Sequence, residues 1–111
     1  MNYRGKFDNC PLTHALKLIG GKWKLPIIWA IYANGTIRYN ELKRSIEGIT
    51  NMMLTQTLKE MELNGIIRRQ QFEEVPPRVE YSLTGHGEDL IPALKALAGW
   101  GDVMKATFSP N

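Results

Sequence analysis

Leu12, Leu16 and Ile19 recur three and four positions apart behind Pro11, and Gly20–Gly21 follows. Positions spaced this way share one helix face, and proline suits a first helical turn, so the pattern predicts a helix from Pro11 to Ile19. The next run, KWKLPIIWAIYANG, is apolar almost all round. It marks a central helix enclosed on most sides and stopped at Asn34–Gly35. Pro26 is tolerable there only within the first turn, where its missing N–H leaves no bond unmade. Thr36–Tyr39 reads as a short strand. Asn40 is expected to cap a third helix that turns Leu42 and Ile46 inward. Glu47–Gly48 forms a turn, and Thr50 or Asn51 caps a fourth helix ending at Asn64–Gly65.

Beyond Gly65 the period changes from helical to alternating. IIRRQQF is β-rich, and in VEYSL the residues Val79, Tyr81 and Leu83 fall on one side of a pleat with Glu80 and Ser82 on the other. Pro76 and Pro77 cannot donate to a ladder, so they belong in a stiff turn between the two runs, with Arg78 as a cation at the tip. Thr84 can cap a last helix, on which Leu90, Leu94, Leu97, Trp100 and Met104 form an apolar face and Pro92 introduces a kink. The order is helix, helix, short strand, helix, tight turn, helix, hairpin, helix. This is a mainly α chain with a small β-hairpin, the α+β plan of a winged helix–turn–helix. Residues 1–9 are expected to form a flexible arm, 10–105 the domain and 106–111 a tail.

With Leu54 at zero and about 100° per residue, Leu58 and Met61 complete the inward stripe of the fourth helix. Met52, Thr55, Gln56 and Lys59 then point outward, with Asn51 at the exposed N-terminal end. This face holds hydrogen-bonding groups and one cation, and no carboxylate. It suits a DNA major groove, where Asn or Gln pairs with adenine and Thr touches a thymine methyl or a phosphate. A plain solvated face would have the same composition. Charge placement favours DNA: Arg38, Lys43, Arg44, Lys59, Arg68, Arg69 and Arg78 are seven of the fourteen Lys and Arg residues, and all lie on elements that approach a duplex in helix–turn–helix docking.

The net charge of +3 by itself only permits an acidic partner. No apolar run has the length of a membrane span and no signal-peptide core follows the first residues, so a cytoplasmic location is expected. One cysteine leaves no internal disulfide and no cysteine metal cluster. HExxH, GxGxxG, P-loop and GxSxG patterns are absent, as is any nucleophile–base–orienter set. No enzyme, metal or cofactor is expected.

Three stretches, CPLTHALKLIGGKWKLPIIWAI, RYNELKRSIEGITNMMLTQTLKEMELNGIIRR and VPPRVEYSLTGHG, resemble the HxlR-type winged helix–turn–helix transcriptional regulators, relatives of the MarR group. The likeness covers about residues 8–105. It implies a DNA-binding regulator, acting as repressor or activator, with Asn51 to Asn64 as recognition helix and Glu73 to Arg78 as wing tip. It also implies a homodimer built from the first and last helices (11–20 and 85–105) on a palindromic operator. Leu12, Leu16, Leu94, Leu97, Trp100 and Met104 are the expected interface. The length of the last helix points the same way, although Trp100 covering its own core is the alternative. Pro26 and Gly85–His86–Gly87 are less typical of the family.

Several members sense oxidants or electrophiles through a cysteine just before proline, the place of Cys10. Its expected N-cap position favours a thiolate, and His14 lies one turn on. The alternative is an inert packed residue. His86 reads as a surface residue. Other functions remain open: a winged helix serving as a protein–protein module, or a small-ligand sensor with Trp23, Trp29 and Trp100 lining a pocket.

Overall fold

The structure, a computed structural model, describes residues 9–108. Its elements are α1 (Pro11–Ile19), α2 (Lys24–Asn34), β1 (Thr36–Arg38), α3 (Tyr39–Ser45), α4 (Asn51–Leu63), β2 (Ile67–Phe72), β3 (Arg78–Leu83) and α5 (Gly85–Phe108). The arm expected over residues 1–9 falls, but for Asn9, outside the described residues. At the other end α5 runs three residues past the expected end of the domain, to Phe108, and 109–111 lie outside the description.

Local chemistry accounts for most of these boundaries. Pro11 opens α1, and Pro26 is the third residue of α2, within the first turn. The Thr50 side chain accepts the Met53 N–H at 3.1 Å and caps α4. Gly65 follows α4 with φ 75°, a conformation costly for any side-chain-bearing residue, and sends the chain into β2. Asn40 is not a cap: α3 starts at Tyr39, with Arg38 in extended backbone ahead of it and no side-chain cap bond. The reason lies in the sheet. Arg38 still pairs with Glu80, so the strand passes directly into the helix without a capping loop. Pro92 lies inside α5, which continues on both sides of it.

The sheet has the order β1-β3-β2, all antiparallel, so the β2–β3 hairpin is the wing and β1 lines its inner edge. Tyr81 and Leu83 face the core as the alternation requires. Ile27, Ile28 and Ile31 of α2 are fully buried, with Leu42, Leu54, Leu58 and Met61 packed around them. Thr84 joins three segments: its hydroxyl reaches the Gly65 carbonyl at 2.5 Å, and its oxygen accepts the Gly87 N–H at 3.2 Å. Gly87 is enclosed there, and a Cβ on it would strike the Ile66 carbonyl. Lys24 is buried apart from 8% of its surface, and its Nζ lies 3.2 Å from Glu60 Oε1, tying α2 to α4. The apolar pattern of α2 did not disclose this ion pair.

Candidate nucleic-acid interface

Leu54, Leu58 and Met61 bind α4 to the core, which turns the opposite face of the helix to solvent. Asn51, Met52, Thr55, Gln56 and Lys59 line one shallow concavity of about 440 Å3 on that side. The five outward residues expected from the helical period therefore form one continuous surface. Among the described residues, no segment of the chain covers it.

Cross-strand neighbours in the wing share a face. Arg69 stands opposite Tyr81 and so faces α4, whereas Arg68 stands opposite Ser82 on the other side. Thr55, Lys59 and Arg69 border a common groove with Tyr81. Burial pushes the Tyr81 phenol above its ordinary pKa, partly offset by the neighbouring Arg69 cation. Lys43 and Arg44 lie in the last turn of α3, where their charge also complements the helix dipole. Arg38 is exposed on β1 and borders the cleft between the start of α3 and the wing tip.

Arg78 is not the free cation expected at the tip. It opens β3, paired with Phe72 across the hairpin, and its guanidinium lies 4.1 Å from the centre of the Phe72 ring. Two carboxylates flank it: Glu74 Oε1 at 3.3 Å from one terminal nitrogen, and Glu80 Oε2 at 3.2 Å from Nε, an ion contact without hydrogen-bond alignment. The exposed tip is Glu73, Glu74, Val75, Pro76 and Pro77. The wing thus ends in carboxylates and apolar side chains, with its arginine already matched in charge. A lone Arg after Pro-Pro gave no sign that acidic neighbours would fold back on it.

Cys10 is the N-cap of α1 and is partly exposed. Its sulfur sits beside the Thr13 backbone N–H without a full capping hydrogen bond, and that N–H above all holds the thiol below its ordinary pKa. The His14 N–H donates to the Cys10 carbonyl at 3.0 Å, and the His14 residue is exposed. Of the expected interface residues, Leu12, Leu16, Leu97 and Trp100 are exposed and Met104 is half-buried. Leu94 belongs instead to the core of its own chain. From Lys95 to Phe108 the α5 side chains are exposed apart from half-buried Met104, with Lys95 and Leu97 still bordering α2, and Leu97, Trp100, Met104 and Phe108 fall within about 80° of one another. The three tryptophans do not share a pocket. Trp29 lines an apolar concavity between α2 and α5 with Leu25, Pro26 and Leu97, while Trp23 packs against the core and Trp100 is exposed. His86 is exposed, as expected. No described helix is long and apolar enough to cross a membrane.

The sequence profile described as HxlR-like helix-turn-helix matches residues 18–107. The chain belongs to that family. An HTH-type transcriptional regulator of Halalkalibacterium halodurans is 45% identical over 102 residues, spanning 89% of this chain and 90% of the relative. The regulator YdzF of Bacillus subtilis is 40% identical over 91% of this chain and 93% of its own length. Among solved structures, the redox regulator HypR in its reduced form superposes with a TM-score of 0.84 at 37% identity, covering 92% of this chain and all of that one. The reduced regulator YodB of B. subtilis gives 0.74 at 32% identity, over 92% and 97%. This HxlR-like chain is accordingly a winged-helix transcriptional regulator of the DNA-binding helix–turn–helix class.

One residue of the HxlR-like site carried no sequence signal. Tyr39 is half-buried at the start of α3, and its hydroxyl contacts both Asn51 and Thr55 of α4. It lies twelve positions before Asn51, outside any helical or strand period, so only the fold brings the two together.

Proposed function

We propose that two copies of this chain, related by a two-fold axis, bind a palindromic operator in double-stranded DNA and repress transcription from it. The observation that carries this is the open surface of Asn51, Met52, Thr55, Gln56 and Lys59, rich in hydrogen-bonding groups and flanked by Arg69. Gln56 and Asn51 read base edges there, while Lys59, Arg69, Arg38, Lys43 and Arg44 hold phosphates. Arg78 shapes the wing more than it grips the backbone, because Glu74 and Glu80 already match its charge. The exposed apolar stripe of α5, with Leu12 and Leu16 of α1, is the surface that a second copy covers. Cys10, on α1 and with a lowered thiol pKa, reports oxidants or electrophiles, a role in keeping with the likeness to the redox regulator HypR. An oxidant such as diamide takes two electrons and two protons from Cys10 and a second thiol, from another chain or a small molecule. The resulting disulfide shifts α1 and, through it, the spacing of the two reading helices.

Selection from a pool of randomised duplexes tests this. The expected product is a two-fold symmetric motif with half-sites about 10 bp, or roughly 34 Å, apart. Gln56→Ala should flatten the preference at one base pair in each half-site. A pool that returns no motif would contradict a sequence-specific regulator and favour a protein–protein module.

A further inference from the structure

Tyr39 brings one phenolic oxygen within hydrogen-bond reach of three others. It lies 3.1 Å from the Asn51 carbonyl oxygen, 3.2 Å from Asn51 Oδ1 and 3.1 Å from Thr55 Oγ1. A tyrosine hydroxyl donates one proton and accepts through its lone pairs. Both Asn51 oxygens are acceptors, so the phenolic proton goes to them. The carbonyl already receives an N–H from the next turn of α4, which leaves Oδ1 as the acceptor most in need of that proton. The Thr55 hydroxyl can then donate its own proton to the phenolic oxygen. Both side chains are thereby oriented: Asn51 keeps Oδ1 turned to Tyr39 and presents its Nδ2 protons outward, and Thr55, its proton committed, is left with its methyl group and the lone pairs of its hydroxyl oxygen.

We propose that Tyr39 is a positioning residue that sets what the first turn of α4 can read. This rests on α4 being the DNA-reading helix. An asparagine free to rotate its amide offers a donor or an acceptor to the major groove. Held by Tyr39, Asn51 offers donors alone, which fit guanine O6 and N7, adenine N7 or thymine O4, and reject the amino groups of cytosine and adenine. The remaining freedom of choice on this face lies with Met52 and Gln56, for which the described residues provide no comparable hydrogen bond.

Tyr39→Phe keeps the ring and removes the hydroxyl. Wild type and variant are compared on the duplex that wild-type protein selects from a randomised pool, on its single-base variants, and on an unrelated duplex of the same length. The expected result is an affinity about tenfold weaker for the selected duplex, the scale of one base-edge contact, with the unrelated duplex within about twofold. At one base pair per half-site the variant should also accept bases presenting an amino group. Asn51→Ala, which removes donor and acceptor together, should weaken the selected duplex at least as much as Tyr39→Phe, and adding Tyr39→Phe to Asn51→Ala should change affinity by less than about twofold. Thr55→Val removes only the donor to the phenolic oxygen and leaves the Tyr39–Asn51 bond in place, so it should keep the preference at that position; Tyr39→Leu, which also lacks the hydroxyl, serves as the test should Tyr39→Phe fail to fold in a thermal melt. A Tyr39→Phe protein that discriminates as wild type does, or loses affinity equally for both duplexes, overturns the proposal. Wild-type protein that selects no motif overturns the regulatory reading together with it, whereas an intact motif with unaltered discrimination in the variant overturns the role of Tyr39 alone.

Discussion

Glu60→Gln should destabilise this protein more than Lys24→Met, although both break the same ion pair. Lys24 Nζ and Glu60 Oε1 are 3.2 Å apart, but the Lys24 side chain is 10% exposed and that of Glu60 52%. Removing the carboxylate leaves an ammonium in a nearly closed site. Removing the ammonium leaves a carboxylate that water already reaches. Exposed pairs contribute about 0.2–1 kcal/mol, and stripping one partner from a buried pair costs about 3–5 kcal/mol. Glu60→Gln lies between these limits, at about 2 kcal/mol, because half of Glu60 is already solvated. Lys24→Met keeps the stem of the side chain in place and should cost less than about 1 kcal/mol. For a chain of this size about 1 kcal/mol moves Tm by about 4 °C, so the expected drops are about 8 °C and under about 4 °C. Thermal unfolding followed by circular dichroism, at one fixed protein concentration so that self-association is held constant, gives both values. The double variant should recover most of the loss of Glu60→Gln. Equal losses for the two single variants, or strictly additive ones, would refute the asymmetry and the burial that causes it.

Three more outcomes follow from the same geometry. Gly87→Ala should cost about 1–3 kcal/mol and lower the urea midpoint, because its methyl group would meet the Ile66 carbonyl and the Leu83 side chain where β2 and α5 converge; an unchanged midpoint would show that the contact relaxes freely. Glu74→Gln removes one of the two charges matched to Arg78 and should raise affinity for any duplex about two- to threefold in low salt, an advantage that fades as salt increases; an unchanged affinity in low-salt titrations would show that the wing does not approach phosphate. Because the Thr13 N–H lowers the Cys10 pKa, more thiolate is present at a given pH in the folded chain, so its rate of alkylation by iodoacetamide should reach half-maximum at a lower pH than in the urea-unfolded protein; coincident midpoints would remove the thiolate bias.

The helices and the outward face of α4 were legible because they depend on period. Leu54, Leu58 and Met61 fix one side of a 3.6-residue cycle, and Met52, Thr55, Gln56 and Lys59 must then take the other. Caps were legible where a side chain supplies the bond, as at Thr50, and illegible at Arg38, where pairing with β3 carries the strand directly into α3. Contacts between elements were hidden for a further reason: spacing along the chain does not report them. Lys24 lies within a run that is apolar almost all round, and only the packing of α2 on α4 brings it to Glu60. Arg78 read as a bare cation because the hairpin register that places Phe72 opposite it, and the fold-back of Glu74, arise from pairing and not from composition. Leu94 shares a helical stripe with Leu97, yet falls just inside the core, where α5 still packs on α2.

The most direct test of the DNA-reading face is amide NMR of the labelled protein titrated with its selected duplex. The expected result is that the largest shifts fall on Asn51, Met52, Thr55, Gln56 and Lys59, with smaller ones at Arg69 and the wing, and little change on α5 beyond Lys95. Large shifts confined to α1 and α5, with α4 unmoved, would contradict it.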